Sequence, residues 1–166
     1  MKASVKQTII RNIIFGVQDS FGSTVGFLSG IAVSGVTKET LLTSGIILVI
    51  VEAFSMGIGS IISDHTVEEV KTKRSLPLKG SAFGGVYMFF AYVIAGMVPL
   101  LPYYFMWGPY AILWSIGMTT FFVGLLGYIS GRMLGLSPIH HTKEMLFVGV
   151  VAIIAGVTVG KLLPSA

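Results

Sequence analysis

The sequence contains no cysteine and few charged residues, and each shortage excludes a class of protein. Without cysteine, disulfide bonds, zinc–thiolate sites and iron–sulfur clusters are excluded. Charged residues make up 11% of the chain, against roughly 25% in soluble domains. Apolar residues make up 54%, and the mean hydropathy is +0.87. We therefore expect an all-α integral membrane protein rather than a soluble domain.

The apolar residues are gathered into runs long enough to cross a membrane. A spanning helix needs about 20 mostly apolar residues. Five such segments are predicted, forming one transmembrane domain over residues 1–166, with spans near 12–36, 40–63, 81–101, 110–132 and 145–162. Thr37 is a suitable N-cap for the second helix. Pro99, Pro102 and Pro109 are predicted to mark the turn after the third.

Basic residues are distributed unevenly between the two ends of these spans. With the N-terminus in the cytosol, nine of the eleven lie on the cytosolic side: Lys2, Lys6, Arg11, Lys71, Lys73, Arg74, Lys79, Arg132 and Lys143. Only Lys38 and Lys161 lie on the other side. Because cytosolic loops carry an excess of Lys and Arg, five spans with the N-terminus inside and the C-terminus outside are predicted.

Small residues recur along the first span. Gly22, Gly26 and Gly30 form two overlapping GxxxG steps. Small residues let helix backbones approach closely in lipid, where apolar burial does not drive association. Generic packing within one chain explains such spacing too. The prediction is that this face joins two copies of the chain in a homodimer.

Two acidic residues lie within the predicted spans. Asp19 lies in the first span, and Glu52 lies near the middle of the second. A charged side chain at the bilayer centre costs about 3 kcal/mol even on a lenient scale, so such residues are usually functional. No span holds a Lys or Arg away from its ends. Protons, bound cations, water or hydroxyl groups must therefore neutralise these acids, and a protonated acid that only joins helices is the structural alternative.

A methionine lies one turn from the second acid. Glu52 and Met56 are spaced i, i+4 and share a helix face. Carboxylates alone suit Mg²⁺, Ca²⁺ or protons, whereas a thioether favours softer ions such as Fe²⁺. Taken alone, Met56 is more typical of packing. Together, Asp19, Glu52 and Met56 indicate a pathway for a divalent transition metal.

Two short motifs around these residues resemble a known family. IIFGVQDS at residues 13–20 is similar to the first-helix motif of the vacuolar iron transporter family, and FSMGIG at residues 54–59 is similar to its second-helix motif. The resemblance implies five spans and a homodimer whose first helices line the pathway. It also implies export of Fe²⁺, often with Mn²⁺, by proton antiport, with Asp19 and Met56 as metal-pathway residues.

The sequence departs from the family pattern at three places. Leu48 stands where many members have a glutamate, and Ser60 with Ile61 stands where many prokaryotic members have Glu-Tyr. The chain also lacks the long glutamate-rich cytosolic insert that transporter members often carry after the second span. A minimal metal-capture site could survive there, formed by Asp64, His65, Glu68 and Glu69. A solvated charged linker is the alternative and the more common outcome for such a segment.

The expected function is therefore a proton-coupled exporter of Fe²⁺, and of Mn²⁺ as well, with metal as substrate and no cofactor. The alternatives are a small proton-driven carrier of organic cations, with Phe54 and Phe21 as the aromatic candidates near the acid, and a non-transporting membrane scaffold. An enzyme and a nucleic-acid partner are not expected. The expected location is the plasma membrane in a prokaryote or the vacuolar membrane in a eukaryote.

Overall fold

The computed structural model describes residues 3–73 and 79–163, without the side chains of 3–6 and 79–80. All regular secondary structure in these ranges is helical. The five helices are α1 (Ala3–Val33), α2 (Lys38–Thr72), α3 (Lys79–Phe105), α4 (Pro109–Met133) and α5 (Pro138–Leu162). The protein is a membrane protein built from these helices.

The helix starts follow the capping rules. The Thr37 side chain accepts a hydrogen bond from the Thr40 backbone N–H at 3.3 Å, so the predicted N-cap of α2 is confirmed. Proline occupies the start of α4 and α5, where its missing N–H has no helical partner to lose. Gly108 precedes Pro109 with φ +81°, a conformation that side chains with a Cβ rarely adopt.

Two prolines lie inside α3 and not in the turn after it. Pro99 and Pro102 are helical residues, so the prediction that they mark the turn was wrong. Proline is tolerated within membrane helices because neighbouring groups satisfy the backbone atoms it frees. At this level Ser115 of α4 also donates a 2.8 Å hydrogen bond to the carbonyl oxygen of Pro99, which ties α3 to α4. The third helix therefore extends to Phe105.

All five helices are longer than their predicted spans, as α2 and α5 illustrate. The apolar run of α2 ends near Ser63, but the helix continues to Thr72, and α5 begins at Pro138 instead of Met145. A helix does not have to stop where hydrocarbon stops, because its backbone hydrogen bonds are internal. Most of the segment predicted as a linker after the second span is therefore helical. Arg74 and Pro77 of that segment lie outside the described residues.

The first helix lies at the centre of the bundle. Within the described chain α1 contacts all four other helices, whereas α2 contacts only α1 and α3. By length and composition, α2, α3, α4 and α5 could each cross a membrane. α1 lacks that hydropathy because it carries polar residues, and several of them, including Asn12, Ser20 and Thr24, are buried against its neighbours. A central helix can be polar where an outer one facing lipid cannot.

The glycines of α1 pack against α5 of the same chain. A Cβ on Gly26 would lie 2.7 Å from the backbone oxygen of Ala152, and one on Gly30 would lie 2.5 Å from that of Gly156. Gly22 is also buried and faces Ala152. In this structure the face that was predicted to join two copies is covered by α5 of the same chain. The GxxxG spacing does mark a close helix contact, but that contact is within one chain.

Candidate functional site

Two acids lie near each other, one on α1 and one on α2. Asp19 and Glu52 are both half-buried, and they are close enough for the charge of Glu52 to act on Asp19. Among the described side chains, those of residues 7–73 and 81–163, no Lys or Arg forms an ion pair with either acid. Two like charges at this depth need a cation, protons or hydroxyl groups for neutralisation.

One of the two acids accepts a hydrogen bond from a hydroxyl group. The Tyr92 hydroxyl of α3 donates a hydrogen bond to Oε2 of Glu52. Ser23 of α1 lies 2.6 Å from the same hydroxyl. Glu52 is therefore tied to both neighbouring helices, and Asp19 is the less restrained acid of the two.

The polar and thioether groups of α2 follow one stripe along the helix. Glu52, Met56, Ser60 and Asp64 are spaced four residues apart, so successive members lie on nearly the same face. The twelve residues from Glu52 to Asp64 correspond to roughly 18 Å along the axis. We call these four residues the α2 stripe. It runs from the level of the two acids towards the C-terminal end of α2.

A cavity of about 560 Å³ lies along the part of the α2 stripe that runs from Met56 to Asp64. We call it the α1–α2 groove, and it is lined by Arg11, Asn12, Phe15, Ser55, Met56, Gly59, Ser60, Ser63, Asp64 and Met88. Met56 lines it, as a pathway residue should, but neither Asp19 nor Glu52 does. Met88 of α3 is also in the lining. The groove therefore ends at Met56, one turn short of Glu52.

A polar network lines the end of the groove that lies away from the two acids. Asp64 forms an ion pair with Arg11, and Asn12 donates to Oδ2 of Asp64 at 2.8 Å and to Ser60 at 2.7 Å. Gly84 of α3 makes room for this network, since a Cβ there would lie 2.7 Å from the Asn12 amide nitrogen. The carboxylate of Asp64 is thus held inside the helix pair.

The proposed capture residues do not form one site. Asp64 belongs to the groove network, and its side chain is only 9% exposed. His65 instead faces Glu69, with 3.7 Å between Nε2 and Oε1, and Glu68 is exposed beside them. In the described part of the chain, no three His, Asp or Glu side chains come close enough to hold a metal ion. The four residues share a helix but not a binding site.

Three residues of this region were missed from the sequence. Arg11 was counted only as an orientation signal, although it is the partner of Asp64. Asn12 had a usable signal, since an amide at the start of a membrane span needs a polar partner. Tyr92 carried none, because only the fold brings α3 against Glu52.

The aromatic rings expected around an organic cation are engaged elsewhere. Phe21 stacks on Phe122 of α4, with ring centroids 6.3 Å apart. Phe54 packs against Phe89, with centroids 4.8 Å apart. The group that reaches Glu52 is a phenol hydroxyl and not a ring face. The site therefore offers oxygen and thioether groups, which suit a metal ion better than a quaternary ammonium ion.

Comparison with known proteins is consistent with that chemistry. The sequence model of the VIT family matches residues 10–77 and 75–161. "Vacuolar iron transporter 1" of Tulipa gesneriana is 24% identical, and the alignment covers 95% of this chain and 88% of the relative. The proteins of the same name from Arabidopsis thaliana and Oryza sativa subsp. japonica are each 24% identical, covering 92% of this chain and 85% and 84% of theirs.

The alignments also show that this chain is short for the group. The alignment to the tulip protein spans 217 positions, more than the 166 residues of this chain, so the relative has a segment that is missing here. The two family matches overlap at residues 75–77, between α2 and α3. That is where the sequence lacks the long insert.

Proposed function

The chain belongs to the VIT family, and from this premise we propose that it exports Fe²⁺, and Mn²⁺ with it, from the cytosol in exchange for protons. It is a metal transporter and not an enzyme, and the metal is its substrate and not a cofactor. The observation that carries the proposal is the half-buried acid pair, Asp19 and Glu52, without a basic partner in the described chain.

The proposed route enters by the α1–α2 groove. A cation reaching it meets the carboxylate of Asp64 and the hydroxyl of Ser60 before the thioether of Met56. Beyond Met56 it reaches Asp19 and Glu52. Oxygen ligands accept most divalent ions, and the added sulfur favours Fe²⁺ over Mg²⁺ or Ca²⁺. The α2 stripe therefore supports a soft divalent metal as the substrate.

Proton exchange is proposed at the same acids. A carboxylate at membrane depth is neutralised either by a cation or by a proton, and the two cannot occupy one oxygen together. Release of the metal towards an acidic compartment would leave Asp19 and Glu52 protonated, which resets the site. This competition is the basis for proposing antiport.

The proposed topology has five spans with the N-terminus in the cytosol. α1 is 31 residues long, about 46 Å at 1.5 Å per residue, and its buried polar residues face other helices. The start of α1, the end of α2 and the end of α4 then carry Arg11, Lys71 and Arg132 on one side. This agrees with the excess of cytosolic basic residues in membrane proteins. The membrane would be the plasma membrane in a prokaryote or the vacuolar membrane in a eukaryote.

A homodimer remains part of the proposal, with a contact face other than Gly22, Gly26 and Gly30. α5 covers those glycines. The described surface of α2 offers an apolar stripe of Val51, Phe54, Ile58 and Ile62, all more than half exposed. Such a stripe can face lipid or a second copy, and crosslinking between cysteines introduced along it distinguishes the two.

The test is Fe²⁺ uptake by proteoliposomes. Purified protein is reconstituted with an iron-quenched dye in the lumen, and Fe²⁺ kept reduced with ascorbate is added outside. We expect uptake above that of protein-free liposomes, and faster uptake when the lumen is acidic than when the pH is equal. Uptake equal to that of protein-free liposomes contradicts metal transport and favours a scaffold. Uptake that is independent of the pH gradient contradicts antiport alone.

A further inference from the structure

Tyr92 is a buried polar residue that joins three helices beside the acids. It lies in the middle of α3, and its side chain is 0% exposed. Its hydroxyl contacts Glu52 of α2 and Ser23 of α1. A phenol within an apolar core is usually bonded at its hydroxyl, but here the partner is an intramembrane acid. The hydrogen bond from Tyr92 to this acid therefore suggests a role beyond packing.

The direction of the hydrogen bonds follows from counting donors. A phenol has one proton to donate, and Tyr92 donates it to Oε2 of Glu52. Ser23 must then donate its own proton to the Tyr92 oxygen, across 2.6 Å. The chain runs from Ser23 through Tyr92 to Glu52, so the orientation of the phenol is fixed from both sides.

The backbone around Tyr92 is fixed as well. Ser20 of α1 donates a 2.7 Å hydrogen bond to the Tyr92 carbonyl oxygen. One turn further along α3, a Cβ on Gly96 would lie 2.8 Å from the Ser20 hydroxyl and 2.7 Å from Val49 of α2. The three helices meet closely at this level only because residue 96 is glycine. The hydroxyl of Tyr92 is therefore presented to Glu52 by a rigid joint.

Resting on the proposed function, we propose that Tyr92 is a positioning residue that holds the Glu52 carboxylate beside Asp19. Ser23 lies one turn from Asp19 on α1, so the bonded chain ties Glu52 to the turn of α1 that carries the other acid. A cation that binds both acids then meets them already placed. Without the hydroxyl, Glu52 is free to take other rotamers. The metal must then order this side chain when it binds, and this entropic cost lowers the affinity for the metal.

The test is the dependence of initial Fe²⁺ uptake on Fe²⁺ concentration in proteoliposomes. Tyr92→Phe removes one oxygen and keeps the ring. We expect its KM for Fe²⁺ to rise about 10- to 100-fold, as for other partners of metal ligands, with the maximal rate per folded protein retained. Ser23→Ala keeps the phenol but loses its anchor, and a smaller rise in KM is expected.

Tyr103→Phe is the matched control. Tyr103 lies on the same helix and is equally buried, and its hydroxyl bonds neither acid in the described structure. Its removal should leave KM unchanged. An unchanged KM in both Tyr92→Phe and Ser23→Ala overturns the positioning role, as does a fall in maximal rate that follows only a loss of thermal stability. A wild-type protein that carries no Fe²⁺ overturns the proposed function itself, and this inference with it.

Discussion

Gly26→Ala and Gly117→Ala form a matched pair that tests the contact between α1 and α5. Both glycines lie inside helices. A Cβ on Gly26 would lie 2.7 Å from the backbone oxygen of Ala152 and 3.0 Å from its carbonyl carbon, while one on Gly117 would meet nothing within 4 Å. A backbone carbonyl cannot rotate away as a flexible side chain can. The two substitutions are chemically identical but differ in the space available.

The two substitutions are expected to change the stability of the protein in opposite directions. Replacing glycine by alanine in a helix gains up to about 1 kcal/mol, so Gly117→Ala should be neutral or stabilising. At Gly26 the same gain is offset by overpacking, which typically costs about 1–3 kcal/mol. For a protein of 150–250 residues, each kcal/mol moves the melting temperature by about 2–4 °C. We therefore expect Gly26→Ala to melt several degrees below Gly117→Ala.

The assay is thermal unfolding of the purified variants in one detergent, with the oligomeric state measured in the same samples by native mass spectrometry. We expect Gly26→Ala to lose stability in the monomer itself. Equal melting temperatures for the two variants would refute the close contact of α1 with α5. A loss of dimer with unchanged monomer stability would restore the glycine face as the contact between copies.

The other predictions concern the route of the metal. Met56→Leu nearly preserves volume and should cost less than about 1.5 kcal/mol, yet it should reduce Fe²⁺ uptake far more than Mg²⁺ uptake; equal loss for both ions removes the thioether from the site. Asp64→Asn and Arg11→Gln break the same ion pair, which is worth at most about 1 kcal/mol because Arg11 is largely exposed, so both should fold. Only Asp64→Asn should raise the KM for Fe²⁺, since Arg11→Gln keeps the carboxylate in the groove; a similar rise in both would assign the effect to the ion pair.

Much of the helical architecture could be predicted because it depends on local signals. Apolar runs, the Thr37 cap and the turn at Pro109 are each read within a few residues, and they locate the five helices. What the hydropathy did not show is that the most polar helix lies at the centre, where its side chains face protein.

The remaining errors share one cause, which is that partners distant in sequence were unknown. The glycine spacing in α1 predicted a close helix contact but not which helix supplies it, and α5 supplies Ala152 and Gly156. Pro99 resembled a turn signal because proline breaks helices in soluble proteins, whereas here α3 continues through it and packs against Ser115 of α4. Asp64 resembled a solvated acid because its pairing with Arg11 spans 53 residues.

The most direct test of the central claim is Fe²⁺ uptake by Asp19→Asn beside the wild-type protein and Glu39→Gln. Both substitutions remove one negative charge with little change in shape, but Glu39 is exposed in the first turn of α2. If Asp19 binds the metal and exchanges it for protons, Asp19→Asn should fold, melt near the wild-type temperature and carry almost no Fe²⁺, while Glu39→Gln carries it normally. Wild-type Fe²⁺ uptake by a folded Asp19→Asn protein would contradict the role of the acid pair in transport.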